Sequence, residues 1–84
     1  MDTNTTNLFQ VEEFNSAVIF ETLKEVYEAL EERGYNPINQ LVGYLLSGDP
    51  GYIPSHREAR TKISKLDRTK VLELIVKEFI KELE

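Results

Sequence analysis

The side chains with the most chemistry to offer fall in two places. Near the start, Thr3, Thr5 and Thr6 sit in a polar stretch rich in asparagine and threonine. Later, His56 opens a basic run of Arg57, Arg60, Lys62, Lys65, Arg68 and Lys70, interrupted only by Glu58 and Asp67 among the charged residues. A threonine hydroxyl on an extended, accessible segment is what a protein kinase needs. Its phosphate adds roughly −1.5 to −2 charge and three acceptor oxygens. Guanidinium forks capture carboxylate or phosphate through paired hydrogen bonds, so Arg57 and Arg60 are candidate partner-binding groups. The bland alternatives are a solubilising tail and an ordinary solvated helix face.

Catalytic constellations are missing. There is one histidine and no cysteine, so thiolate metal sites, disulfides and cysteine nucleophiles are excluded. His56 alone has no nucleophile or metal to complete a site, and local packing or an interface contact suits it better. Gly48-Asp49-Pro50-Gly51 lacks the lysine and glycine spacing of a phosphate-binding loop and reads as a turn. The expectation is a protein that is not an enzyme and needs no cofactor.

The chain has 84 residues and a formal net charge of −5. Residues 1–35 carry eight acids and two bases, net −6; the remainder carries eight bases and seven acids, net +1. The overall sign opposes non-specific binding to nucleic acid or anionic lipid. No apolar run reaches the ~20 residues of a membrane span, and the first residues lack the basic start and apolar stretch of a secretory signal. Cytoplasmic residence without membrane insertion is expected. A single domain this small has a marginal core; without disulfides or metal, self-association is the expected remedy.

Residues 1–12 bury too little to offset their ordering entropy and read as a flexible tail. Residues 13–84 form the helical domain. A first helix is expected over 16–33, with Phe20, Leu23, Val26, Tyr27 and Leu30 on its apolar face. Asn15 would cap it, Phe14 would staple onto Ile19, and Gly34 would end it. Its other face, with Glu21, Lys24, Glu25, Glu28, Glu31 and Glu32, reads as solvated. Asn36-Pro37 opens a second helix through Ile38, Leu41, Val42, Leu45 and Leu46 to Gly48. This helix carries no charge, so burial in the core or against a partner is expected. A third helix over 55–66 places Arg57 and Arg60 on one side, with Ala59, Ile63 and Leu66 inward. Asp67 caps a last helix carrying Val71, Leu72, Ile75, Val76, Phe79, Ile80 and Leu83, an apolar face wide enough to pack on two sides. Of Tyr35, Tyr44 and Tyr52, the last should be the most exposed because it follows a turn. The fold class is all-α, a compact bundle of four main helices, read as a homodimer.

One stretch is recognisable. Residues 27–60 read YEALEERGYNPINQLVGYLLSGDPGYIPSHREAR and closely resemble the signature of the IreB/ReoM family. Gly34-Tyr35-Asn36-Pro37, Asn39-Gln40, the run from Val42 to Pro50, Tyr52-Ile53-Pro54, His56 and Ala59-Arg60 all match. The resemblance implies a small helical homodimer of Gram-positive bacteria. It implies phosphorylation by a PASTA-domain Ser/Thr kinase, reversed by a cognate phosphatase. The implied role is regulation of cell-wall (peptidoglycan) synthesis and cephalosporin resistance, including proteolytic control of a peptidoglycan-precursor enzyme. The family's phosphothreonine precedes a phenylalanine by three residues, which points to Thr6 ahead of Phe9. Asn7 departs from the family's apolar residue there, which keeps Thr5 and Thr3 as alternatives. Ser55 departs where the family often has arginine, removing one base from the patch. His56, Arg57, Arg60 and Tyr52 are the expected partner-binding residues. The alternative of another class is a small helix-turn-helix-like DNA-binding regulator; Pro50 and Pro54 stretch its turn beyond three to four residues.

Overall fold

The computed structural model describes the backbone of residues 3–84 and the side chains from Asn15 onward. Four helices follow one another: α1 (Thr3–Glu32), α2 (Pro37–Ser47), α3 (Ala59–Ser64) and α4 (Arg68–Leu83). Short 3-10 turns at Pro50–Tyr52 and His56–Glu58 fill the connection between α2 and α3. The all-α expectation holds for the described residues.

The caps of α2 and α4 form as their residue types dictate. Asn36 Oδ1 accepts from the Asn39 N–H at 3.1 Å, with Pro37 in the first turn of α2. Gly48 closes α2 at φ 73°, a left-handed backbone that costs glycine little. Asp67 Oδ1 accepts from the Thr69 N–H at 2.9 Å to start α4. Arg68 then reaches back and donates from Nη1 to the Leu45 carbonyl at 3.1 Å, so the start of α4 satisfies an orphan carbonyl at the end of α2.

Two helix boundaries differ from expectation. The first helix begins at Thr3 rather than near Ser16, and Asn15 lies inside it instead of capping it. No glycine or proline interrupts 3–15, and extending a formed helix is far cheaper than starting one. The staple from Phe14 and the side chains of Thr3, Thr5 and Thr6 lie outside the described residues. The second difference is at the third helix, where residues 55–58 are not α-helical. Arg57 and Glu58 have φ of 56° and 58°, so α3 shrinks to six residues.

The core is small. Val26, Ala29 and Leu30 of α1, Tyr44 of α2, Ile53 of the connection, and Ala59 and Ile63 of α3 form one buried cluster. Leu23, Leu41 and Leu45 pack against its edge. Within α1 the buried face is therefore rotated from the one expected. Ile19 and Ala29 are in, whereas Phe20 and Tyr27 are exposed at 60% and 45%. α2 presents Leu41, Tyr44 and Leu45 inward and leaves Ile38, Val42 and Leu46 exposed. Tyr35, not Tyr52, is the most exposed tyrosine of the signature.

α1 packs most extensively on α3, while α4 touches the rest only sparsely. Val71 is the buried residue of α4. None of the described helices is long and apolar enough to cross a membrane.

Candidate functional site

The basic run does not form the single open surface that its sequence suggests. The left-handed backbone at Arg57 and Glu58 turns His56 and Arg57 toward the C-terminal end of α1. There Glu28 and Glu32 stand one turn apart, a like-charged spacing that a lone helix disfavours. The Glu32 carboxylate is held at both oxygens. His56 Nε2 lies 2.7 Å from Oε1, and Arg57 Nη1 donates to Oε2 at 3.1 Å. Arg57 Nη2 also stands 3.6 Å from Glu28 Oε1. Below this pair, Lys62 Nζ contacts Glu25 at 3.1 Å. The face of α1 expected to be solvated is thus the counter-surface for the bases of the connection and of α3.

The remaining bases are dispersed. Arg60 turns away from Arg57, and its Nε donates to the Ile53 carbonyl at 2.8 Å. The expectation that Arg57 and Arg60 share one side of a helix fails because Arg57 precedes the helix and carries a positive φ. Arg68 is engaged at the end of α2, and Lys70 lies near Glu73 at 3.7 Å. Of the four expected partner-binding residues, the structure brings His56 and Arg57 together at one site. Tyr52 sits elsewhere, its carbonyl accepting from Gln40 Nε2 at 3.0 Å and its ring against Gly43. Glu28 and Glu32 were missed as site residues. The signal was their repulsive one-turn spacing, which a nearby cation relieves.

The His56 hydrogen bond, aided by the charge of Arg57, holds the Glu32 carboxyl below its ordinary value of 4.5. A depressed carboxylate contributes stability that is present above its unfolded value and lost as pH falls through the lower folded one. Melting of the native chain and of Glu32→Gln should therefore differ at pH 6 and converge as the pH falls below 4.5 and through the lower folded-state value. A difference unchanged at acid pH would remove Glu32 from the ion pair in solution.

These pairs are partly exposed, with side-chain exposures of 28% for His56, 37% for Arg57 and 51% for Glu32. Pairs this exposed are screened by solvent and add little to stability. Left-handed backbone at a non-glycine residue costs about 1–2 kcal/mol. For Glu58, glycine should relieve that cost, less its own entropic penalty of about 0.5–1 kcal/mol. Glu58→Gly is thus expected to raise the urea midpoint slightly, and a clear fall would show that this backbone is unstrained.

Among the described residues no group of three or more His, Asp or Glu could hold a metal ion. The signature run is now placed: it forms α2, the connection and the start of α3, and closes them over α1. The sequence profile of the IreB regulatory phosphoprotein family matches residues 4–81. The chain belongs to the IreB family. That match extends well beyond residues 27–60 in both directions and includes Thr5 and Thr6, while Thr3 falls just outside it. A regulatory phosphoprotein is therefore the class of this IreB-family chain.

Proposed function

We propose that this IreB-family protein is a phospho-regulated, non-enzymatic adaptor that works as a cytoplasmic homodimer. Its switch is a threonine of the first residues, Thr6 first, with Thr5 and Thr3 as alternatives. The family match carries the phosphoprotein part of this reading. The apolar surface supports the dimer: among the described residues, fourteen large hydrophobic side chains are exposed, against nine buried core residues. Helices in proteins draw most of their stability from packing an apolar face, yet Val71 is the buried residue of the 16-residue α4. Its exposed Leu72, Val76, Phe79 and Leu83 follow the four-three-four spacing of a coiled-coil seam. A second copy meeting α4, with α2 contributing Ile38, Val42 and Leu46, would cover both unpartnered faces.

By resemblance, the kinase is a membrane PASTA-domain enzyme with a cognate phosphatase, and the output is peptidoglycan synthesis and cephalosporin resistance. Proteolytic control of a precursor enzyme is the proposed route. The DNA-binding alternative gains no support: α3 has six residues, and Lys62 within it pairs with Glu25.

The test is incubation with a PASTA kinase domain and ATP, with phosphate mapped by peptide mass spectrometry. One phosphate lost in Thr6→Ala is the expected result. Phosphate on Thr5 or Thr3 would reassign the residue, and none at all would sink the switch. Light scattering should give a dimer at micromolar concentration that Phe79→Asp converts to a monomer. A monomeric native chain would end the dimer reading.

A further inference from the structure

The cluster at the end of α1 holds a carboxylate in a way that structural stabilisation alone does not explain. Two consecutive non-glycine residues, Arg57 and Glu58, adopt left-handed backbone, and the exposed pairs gained in return are individually weak. Strained backbone of this kind collects at binding and switching positions. What the strain achieves here is the aim of two donors, His56 Nε2 and Arg57 Nη1, at the two oxygens of one carboxylate. The second guanidinium nitrogen faces a further carboxylate one helical turn earlier. The arrangement thus recognises a helix bearing two acids four residues apart, and it is open to solvent.

We infer that His56 and Arg57 form a docking fork for an acidic helix of a partner protein, which Glu28 and Glu32 of α1 occupy as resident competitors. The occupant is defined by the template already bound: two carboxylates at a spacing of four on a helix. An incoming helix exchanges with Glu28 and Glu32 at the same donors and leaves them to solvent, so no charge is buried unpaired. Because the resident acids belong to the same chain, their effective concentration is high. A free peptide of the same chemistry therefore binds weakly until they are removed. The contact is autoinhibitory. Its purpose rests on the adaptor reading, but its geometry does not.

The test uses the full chain, isotopically labelled, and a capped alanine-based helical peptide carrying two glutamates four residues apart. Binding is followed by amide chemical shifts. The Glu28→Gln/Glu32→Gln variant should bind at least tenfold more tightly than the native chain, with the shifts centred on His56 and Arg57. The same peptide with glutamines in place of glutamates should not bind. Equal affinity of the native and variant chains, or shifts centred elsewhere, would overturn the fork. Should the double variant fail to fold, Arg57→Ala in the otherwise native chain decides: it must abolish the weak native binding, and unchanged binding refutes the inference. The kinase assay is independent of all these outcomes, so failure of the fork and failure of the phospho-switch are read separately.

Discussion

Ile53→Ala should lower stability by about 2–5 kcal/mol, the range for deleting a buried isoleucine to alanine. Native domains are stable by only about 5–15 kcal/mol, so this one change removes a large share. Ile53 is fully buried although it belongs to the non-helical connection. It packs with Val26 and Leu30 of α1 and Tyr44 of α2. Its N–H donates to the Pro50 carbonyl at 3.0 Å, and its carbonyl accepts from Arg60. The connection is therefore a built part of the core, and Ile53 is the peg that fixes it. Urea denaturation at low protein concentration is the measurement. The control is Ile38→Ala, which is 73% exposed in the single chain and should cost within about 0.5 kcal/mol. Equal losses at the two positions would mean that the connection is not anchored by Ile53.

The second large effect is at Gly43. In an exposed helix, alanine outdoes glycine by about 1 kcal/mol, so propensity alone makes Gly43→Ala a stabilising change. The tertiary structure reverses the sign. A methyl group at Gly43 would overlap Cε1 of Tyr52, and the 3-10 turn with the Gln40 bond holds the Tyr52 backbone in place. The ring must leave, and overpacking of this kind costs about 1–3 kcal/mol. Gly43→Ala should thus lower the melting temperature, by roughly 4–8 °C for each kcal/mol lost in a domain this size. In a Tyr52→Ala background the same substitution should raise it. A double-mutant cycle reads the coupling directly. If Gly43→Ala stabilises the chain with Tyr52 intact, the close approach of ring and helix is not a constraint.

Both cases show where local reading succeeds and where it stops. Asn36, Pro37 and Gly48 delimit α2 as their types dictate, because a cap is decided by one residue and its immediate backbone. Asp67 opens α4 for the same reason. Asn15 has the same capping chemistry and does not cap, because nothing between it and Thr3 breaks the helix. The buried face of α1 is partly rotated from the one its apolar spacing indicates. Periodicity places Phe20 and Tyr27 on the same stripe as Val26 and Leu30; the position of α3 selects Ala29, and Ile19 faces Lys70, Glu73 and Leu74 of α4.

The candidate site was half legible. His56, Arg57 and Arg60 stood out by type, but a helical reading of 55–66 put Arg57 beside Arg60. The left-handed backbone at Arg57 and Glu58 is invisible in sequence, since neither residue type favours it. It separates the two arginines and sends one to Glu32 and the other to the Ile53 carbonyl.

The sequence by itself determined the all-helical class, the ends of α2, the start of α4, the turn at Asp49-Pro50-Gly51 and, through the signature from Gly34 to Arg60, the IreB family. These depend on one residue or on a contiguous phrase. Only the tertiary structure decided which apolar residues are buried, why Gly43 must lack a side chain, and that Glu28 and Glu32 fill the His56–Arg57 fork. Those outcomes depend on contacts between residues far apart in the chain, as with Glu28 and Arg57, whose distances no local propensity encodes.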